Sequence, residues 1–277
     1  MQESSNDVAV VVIPARYGST RLPGKPLADL GGRPLIEHVW RRALLARLPE
    51  RVLVATDDER VRAAMPKEAE VVMTRADHPS GSDRIAEVAA GLDCAILVNV
   101  QGDLPLLDPT LVDELIEMLQ RDPALGLATV AVPIESSEEM DNPSVVKVVC
   151  DSGGRALYFS RAPIPYDRSD PSSYAGAMRH VGIYAYRRQT LLRFAALAPT
   201  PLEKTECLEQ LRALENGISI GVVRRSDAVP IEVDTPADLA AARSALAALH
   251  PDSPDSPTPP GPRRTGRTAT AEEVPSS

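Results

Sequence analysis

The sequence predicts an α/β protein in which helices flank a mostly parallel sheet, with a mixed or antiparallel insertion. Two short runs, Val8–Ile13 and Ala95–Val100, are almost wholly apolar, as is typical of strands buried on both faces. Segments with helical periodicity alternate with such runs, which indicates parallel strands joined by helical crossovers. Only nine of the 277 residues are Trp, Tyr or Phe, so we expect a mostly aliphatic core.

The first half of the chain shows this alternation most clearly. Strands are predicted at Val8–Ile13, Arg51–Ala55, Glu70–Thr74 and Ala95–Val100, and helices at Pro34–Ala46, Glu59–Ala64, Asp83–Gly91 and Thr110–Gln120. The last of these helices has a clear start, because Asp108 suits the N-cap and Pro109 suits the first turn. These elements account for the parallel part of the predicted sheet.

The middle of the chain has few helical segments and predicts the insertion. Its strands are expected at Leu127–Pro133, Ser144–Cys150, Ala156–Ser160 and Arg179–Tyr186. In the last of them, Val181, Ile183 and Ala185 face one way, whereas His180 and Tyr184 face the other. We therefore expect His180 and Tyr184 to line one cavity.

The remainder returns to alternating helices and strands. A helix is predicted at Glu203–Asn216, a strand at Ser219–Arg224 and a final helix from Pro236, with Thr235 and Asp238 forming a capping box. We predict one domain over residues 1–248, with the insertion at about 127–186. Residues 249–277 are rich in proline and poor in large aliphatic side chains, which predicts a disordered tail.

Composition and charge exclude several classes of protein. A net charge of −9 argues against a nucleic-acid-binding surface, and no apolar run approaches the ~18 residues of a membrane-spanning helix. The three cysteines lie far apart, which favours neither a zinc site nor a disulfide scaffold. Val8–Ile13 is too short for a secretory signal and follows no basic leader, so we expect a cytoplasmic protein.

The segment Pro14–Lys25, which follows the first strand, combines glycines with the three cations Arg16, Arg21 and Lys25. Ligands of open α/β sheets bind beyond the carboxyl ends of strands, and such a loop suits an anion such as a phosphate. The glycine spacing and the Pro after the lysine exclude a P-loop. The alternative is an ordinary surface loop.

Two carboxylates are predicted at the same edge of the sheet. Asp103 follows the strand that ends at Val100, and Asp234 lies at the end of a last short strand predicted from Ile231. Facing a phosphate-binding loop, two such acids suit one Mg²⁺ held by carboxylate and phosphate oxygens. The alternatives are a turn role for Asp103 and a helix-end role for Asp234.

Small polar residues form a third cluster at the start of a helix, in the segment TRADHPSGSDR. Ser80 and Gly81 could recognise a base and a sugar, whereas the plainer interpretation is helix capping by Ser82 or Asp83.

Taken together, these segments resemble the 3-deoxy-manno-octulosonate cytidylyltransferases, the family that makes CMP-Kdo. The resemblance lies in IPARYGSTRLPGKPL, TRADHPSGSDRIAEV, VNVQGD, NPSVVKVV, ALYFSRAPIPYDR, RHVGIYAYR, LEQLRALENG and VDTPADL, from about residue 8 to residue 245. It implies a nucleotide-diphospho-sugar transferase-like fold, a homodimer, and the substrates CTP and Kdo with Mg²⁺ as cofactor.

The resemblance also implies roles for particular residues. The CTP-binding positions are Ala15, Arg16, Arg21, Lys25, Ser80 and Gly81, and the metal-binding acids are Asp103 and Asp234. The sugar-binding positions are Arg75, Gln101, Arg161, His180, Tyr184, Glu209 and Gln210. Arg21, Lys25, Asp103 and Asp234 are the expected catalytic residues. Taken alone, His180 would suit a structural histidine and Glu209 a solvated charge.

One departure from the family matters. The family writes QGDEP where this chain has QGDLP, so Leu104 replaces a carboxylate next to Asp103. If the missing carboxylate contributes to metal binding, metal affinity or the reaction rate should fall. If it only orders the loop, Leu104 packs in its place. Pro79 and Ser82 replace the usual Gln and Thr. The expected function is nucleotidyl transfer from CTP to Kdo; the alternatives are an enzyme for a related acidic sugar, such as an amino analogue of Kdo, and a weakened CTP- or sugar-binding homologue.

Overall fold

A mixed sheet forms the centre of the structure, a computed structural model that describes residues 8–18, 22–170, 172–226 and 231–249. Its strands are β1 (Ala9–Pro14), β4 (Arg51–Thr56), β5 (Glu70–Met73), β6 (Ile96–Asn99), β7 (Leu127–Pro133), β8 (Lys147–Cys150), β9 (Ala156–Ser160), β10 (Met178–Arg187) and β11 (Ile220–Arg224), while β2 (Asp29–Leu30) and β3 (Arg33–Pro34) pair separately. The central order is β11–β7–β10–β6–β1–β4–β5, and β8 and β9 extend from β10.

The pairing explains why most strands end at one edge. Strands β6, β1, β4 and β5 run parallel to one another, and β7 runs parallel to β11. Strand β10 lies antiparallel between β6 and β7, and β8 and β9 continue this antiparallel part. The two ends of the predicted insertion are therefore central strands.

Helices cover both faces of the sheet. They are α1 (Leu35–Ala43), α2 (Glu59–Ala64), α3 (Gly81–Ala90), α4 (Pro109–Arg121), α5 (Ser137–Asp141), α6 (Arg188–Ala195), α7 (Pro201–Glu206), α8 (Gln210–Glu215) and α9 (Pro236–Leu249). Because side chains alternate along β1, Val11 and Ile13 pack with α1, α4 and α9, whereas Val10 and Val12 pack with α3, α6 and α8. Two aliphatic layers result, which confirms the predicted fold class.

Most predicted elements are confirmed to within a few residues, and Leu127–Pro133 and Ala156–Ser160 have the predicted bounds. Asp108 caps α4 by accepting a hydrogen bond from the Thr110 N–H. The strand predicted from Ser144 begins only at Lys147, because the backbone N–H of Ser144 is bonded to the Asn142 side chain in a turn. The prediction missed α5 and α6.

The predicted helix Glu203–Asn216 is wrong, because the chain forms two short helices there. Cys207 has a left-handed backbone, with φ at 52°, and separates α7 from α8. The carbonyl of Glu206 accepts a hydrogen bond from the Arg161 guanidinium, and its carboxylate accepts one from Ser160. These tertiary contacts hold the break, although the segment contains no Gly or Pro to indicate it.

None of the helices in the described part of the chain has the length and apolar character needed to cross a bilayer. The tail predicted at 249–277 lies outside the described residues from position 250 onward.

Candidate active site

The candidate site lies where β1 and β6 end and their following loops meet. Gly102 approaches the β1 end so closely that a Cβ on it would lie 2.8 Å from the Pro14 carbonyl oxygen. Only a glycine leaves room for this contact between two backbone segments. The loop carrying Asp103 is therefore held directly against the loop that leads to Lys25.

We predict that Gly102→Ala lowers the stability by about 1–3 kcal/mol, because a backbone carbonyl cannot rotate away as a flexible side chain can. Displacement of Asp103 by even ~1 Å is expected to lower turnover by about ten- to 100-fold. Urea unfolding and steady-state kinetics measure the two effects. Gly91→Ala is the control, since its Cβ would meet only the Val88 carbonyl at an ordinary 3.7 Å. Equal behaviour of the two variants would contradict the close approach.

Lys25 joins the two predicted metal-binding acids. Its ammonium donates to Asp103 Oδ2 at 2.7 Å and to Asp234 Oδ1 at 3.0 Å. All three side chains are largely buried, with exposed fractions of 18%, 22% and 30%. The two carboxylates thus lie close enough to contact one cation, as the sequence predicts.

The position of Asp234 depends on backbone contacts. The N–H of Val233 donates to the Asp103 carbonyl at 2.9 Å, which ties the two acid-bearing segments together. The Asp238 carboxylate accepts from the N–H groups of Asp234 and Thr235, and this confirms the predicted capping box at the start of α9. The segment from Ile231 is not a strand, so Asp234 owes its place to the helix cap and to this one backbone bond.

The charges at this edge are strongly coupled. Burial alone would lower the pKa of Lys25, but the attraction and hydrogen bonds of Asp103 and Asp234 outweigh it, so the pKa is raised. Burial also raises the pKa of Glu232, and the neighbouring charges of Asp103 and Asp234 raise it further. This edge therefore carries two carboxylates and an ammonium that remains charged. Such a set suits a polyanion together with a divalent cation.

The donor set fits Mg²⁺. Within the described ranges no group of three or more His, Cys, Asp or Glu side chains could hold a metal ion. Asp103 and Asp234 nevertheless supply two carboxylates around one volume. Mg²⁺ is commonly held by one or two carboxylates together with substrate phosphates and water, so a pair of acids is enough once a triphosphate is present.

The loop from Pro14 to Lys25 begins with tightly held backbone. The Ala15 N–H donates to the Ala55 carbonyl, and the Ala15 carbonyl accepts from Thr56 Oγ1 at 2.6 Å. Arg16 follows with an exposed side chain at the sheet edge. Arg21, predicted to bind CTP and to act in catalysis, lies outside the described residues, as do Ser19 and Thr20.

The turn that delivers Lys25 is built around Gly24. Gly24 has a φ of 67°, and a Cβ there would meet the Tyr17 hydroxyl at 3.1 Å. The guanidinium of Arg60 lies over the ring of the same Tyr17, 3.5 Å from the ring centroid. Arg60 on α2 therefore supports the loop, a role that its place on a short surface helix did not indicate.

Ser80 and Gly81 lie at the start of α3, beside the end of β1. Ser80 is the N-cap, because its Oγ accepts from the Asp83 N–H at 3.1 Å, which corrects the prediction of Ser82 or Asp83. A Cβ on Gly81 would lie 3.6 Å from Pro14. The helix N-terminus thus faces the loop that carries the predicted phosphate-binding cations, a favourable place for negative charge.

A buried arginine that the sequence did not single out fixes this arrangement. Arg84 is 3% exposed and donates to Asp57 at the end of β4 and to Thr74 and the Arg75 carbonyl after β5. It thereby fastens α3 to two strand ends. Its position inside an amphipathic helix gave no indication of this role.

The predicted sugar-binding residues fall into two groups. The first is assembled on β10, where His180 and Tyr184 face one side with ring centroids 5.3 Å apart. Gln101 joins them, since a Cβ on Gly182 would lie 4.0 Å from its Cγ. The aromatic row continues from Phe159 through His180 and Tyr184 to Tyr186 and Phe194. The alternation predicted for β10 therefore places polar groups at the site and aliphatic ones in the core.

His180 is neutral, and its tautomer follows from its neighbours. Thr129 Oγ1 lies 2.8 Å from the Ile183 carbonyl, to which it donates, so it accepts from His180 Nε2 at 2.9 Å. This leaves Nδ1 as an acceptor. Burial lowers the pKa of His180 to about 3.

The low pKa predicts an acid-sensitive fold. In the unfolded chain the imidazole becomes protonated below pH 6.5, whereas in the folded protein it stays neutral down to about pH 3. Stability therefore falls as the pH falls through this range. At pH 5 this contribution is about 2 kcal/mol of lost stability relative to pH 7. We expect urea unfolding of His180→Gln to change less between pH 7 and pH 5 than that of the original protein. An unaltered pH dependence would show that His180 is not the responsible group.

The second group lies between α3 and α8. Glu209 is 31% exposed, and its Oε2 accepts from Ser82 Oγ at 2.6 Å. Gln210, the first residue of α8, is buried. The carboxylate of Glu209 also contributes to raising the pKa values of Tyr184 and Tyr186, after the larger effect of burial, so the two groups are neighbours.

Two predicted sugar contacts are engaged elsewhere among the described residues. Arg161 donates to three backbone carbonyls, those of Pro143, Glu206 and Cys207, and so clamps two loops. Arg75 is 69% exposed and pairs with Asp77 and Glu87. Their predicted contact with a sugar stays a prediction.

Leu104 points into the protein. It is 1% exposed and belongs to the aliphatic layer on the α1 and α4 face. Of the two expectations for this departure from the family, the structure favours packing.

Four features define a site of the nucleotidyltransferase class: an edge at which parallel strands end, a cationic loop, two facing carboxylates and a helix N-terminus. Residues 10–220 match the family model described as cytidylyltransferase. The 3-deoxy-manno-octulosonate cytidylyltransferase of Chromohalobacter salexigens is 52% identical over 248 residues, which cover 86% of this chain and 96% of that one. Its counterpart from Halorhodospira halophila is 51% identical over 253 residues, covering 87% and 98%. The chain belongs to the cytidylyltransferase family, among the 3-deoxy-manno-octulosonate cytidylyltransferases.

Solved structures agree with this assignment. A CMP:2-keto-3-deoxy-manno-octonic acid synthetase complexed with CTP superposes with a TM-score of 0.82 at 45% identity, covering 87% of this chain and 99% of that one. The 4-diphosphocytidyl-2C-methyl-D-erythritol synthase of Anaerococcus prevotii, at 13% identity and a TM-score of 0.57, covers 87% and 97% and shares the fold alone.

Proposed function

We propose that this protein transfers the cytidylyl group of CTP to Kdo, giving CMP-Kdo and pyrophosphate for lipopolysaccharide biosynthesis. The observation that carries the proposal is the pair Asp103 and Asp234, bridged by Lys25 at the end of the glycine- and arginine-containing loop. The names of the relatives and the CTP complex of the similar structure support the choice of substrates.

The reaction needs no covalent intermediate on the protein. The anomeric hydroxyl of Kdo gives its proton to water and its oxygen attacks the α-phosphorus of CTP, while the bond from this phosphorus to the bridging oxygen of the β-phosphate breaks. Pyrophosphate carries away the electron pair of that bond. The protein contributes by holding the reactants in line and by stabilising the charge that develops on the phosphates.

Each part of the site has a place in this scheme. Lys25 can contact the triphosphate and stabilise the leaving pyrophosphate. Arg16 and Arg21 of the same loop can do the same. Asp103 and Asp234 would hold Mg²⁺. The bound Mg²⁺ would neutralise phosphate charge and favour the ionised form of the attacking hydroxyl.

We assign sugar recognition to the region beside β10. Gln101, Tyr184 and Glu209 present amide, phenol and carboxylate groups there, and the Nδ1 acceptor of His180 adds a fourth. Hydroxyl-rich sugars are bound through such directional hydrogen bonds.

The test is pyrophosphate release from CTP with Kdo, with and without Mg²⁺. We expect release only when CTP, Kdo and Mg²⁺ are all present, and little with UTP in place of CTP. An amino analogue of Kdo is the competing acceptor. Release with the analogue and none with Kdo would overturn the proposed acceptor, while release with neither would overturn the proposed activity.

We further propose a cytoplasmic homodimer. Free cysteines at positions 94, 150 and 207 are compatible with a reducing compartment. Leu157 on β9 and Tyr166 in the following loop expose 61% and 71% of their surface, which supports self-association through the insertion. Analytical ultracentrifugation tests this proposal, and a monomer at micromolar concentration would contradict it.

A further inference from the structure

One hydrogen bond connects the nucleotide side of the site with the sugar side. Ser82, in the first turn of α3, donates to Glu209 at the start of α8, 127 residues later in the chain, at 2.6 Å. Ser82 is 5% exposed, so the bond is shielded from water. A charge-assisted bond in such surroundings holds a carboxylate more firmly than a bond at the surface does.

The bond has a defined direction. A carboxylate can only accept, so the Ser82 hydroxyl donates its proton to Glu209. Ser82 lies in the first turn of α3, so the bond fixes the carboxylate relative to that helix.

Glu209 still has acceptor capacity for a ligand. Its other oxygen, Oε1, lies 3.4 Å from Arg212, whose guanidinium is more closely paired with Glu203 at 2.5 Å. The side chain is 31% exposed, so a ligand can reach it. A fixed carboxylate at this place suits the hydroxyl groups of a sugar.

We propose that Ser82 is a positioning residue that orients the Glu209 carboxylate toward the hydroxyls of the acceptor sugar. The inference rests on the proposed function. The proposal implies that the affinity for the sugar depends on the first turn of α3. The N-cap residue of the same turn, Ser80, is a predicted CTP contact. Loss of the Ser82 hydroxyl leaves Glu209 able to rotate, while the fold of α3 keeps its cap.

The test is the KM for each substrate in Ser82→Ala. We expect the KM for Kdo to rise about ten-fold, in line with the loss of one hydrogen bond to a charged group, and the KM for CTP to stay within two-fold. Ser82→Thr keeps the hydroxyl and should restore the KM for Kdo. Ser244→Ala, on the exposed side of α9, is the matched control and should change neither value.

The outcomes separate the two proposals. A general rise in both KM values, or an unchanged KM for Kdo in folded Ser82→Ala, would overturn the positioning role. Absence of Kdo-dependent pyrophosphate release in the original protein would instead overturn the proposed function. If Ser82→Ala fails to fold, Ser82→Cys takes its place, because a thiol is a similar-sized but much weaker donor, and an unchanged KM for Kdo there overturns the positioning role.

Discussion

Replacing Asp234 with asparagine is expected to lower turnover with CTP and Kdo by about 100- to 1,000-fold, the usual scale for losing one group that stabilises transition-state charge. The amide keeps the size of the side chain but removes the negative charge that faces Lys25 and Asp103. Metal affinity should fall with it, so added Mg²⁺ should raise the rate without restoring it. Steady-state pyrophosphate release over a range of Mg²⁺ concentrations measures both effects.

Asp93→Asn is the control for the Asp234 substitution. Asp93 is exposed in the loop before β6, away from the sheet edge that carries the site, and its replacement should leave turnover unchanged. Circular dichroism and thermal unfolding establish whether each variant is folded. Full turnover of folded Asp234→Asn at saturating Mg²⁺ would show that Asp234 does not hold the metal.

Lys25→Met is expected to have two opposite effects. The value of kcat/KM for CTP should fall by about 100-fold, because a cation that stabilises the leaving pyrophosphate is lost. Without nucleotide, however, the variant should bind Mn²⁺ about ten-fold more tightly, because the ammonium no longer neutralises the two acids that it bridges. Electron paramagnetic resonance of free Mn²⁺ measures this binding directly, without reference to catalysis.

Lys67→Met removes an exposed lysine and provides the matched control. It should leave both Mn²⁺ binding and kcat/KM unchanged. If Lys25→Met binds Mn²⁺ no more tightly than the original protein, the ammonium and the metal do not compete for the same two carboxylates.

The sequence was sufficient for the features set by local chemistry. Apolar runs predicted β1 and β6, and capping residues predicted the start of α4 and of α9. Asp103 and Asp234 could be paired in advance because both were placed at the carboxyl edge of one sheet. That edge is a consequence of parallel topology, which periodicity alone indicates well.

What the sequence could not predict depends on contacts between distant segments. The break at Cys207 is held by Ser160 and Arg161, and no residue inside the predicted helix indicates it. The role of Arg84 was likewise hidden, because a buried arginine is recognised only from the partners that the fold brings to it. Lys25 was predicted to bind phosphate, whereas its bridge between the two acids emerges only from the assembled structure.

The backbone bond between Val233 and Asp103 has a consequence for biosynthesis. Translation proceeds from the N-terminus, so Asp103 leaves the ribosome long before Val233 and Asp234 are made. A chain that stops before Asp234 has only one of the two acids. On the proposed function, we expect such a truncated chain to release no pyrophosphate from CTP and Kdo.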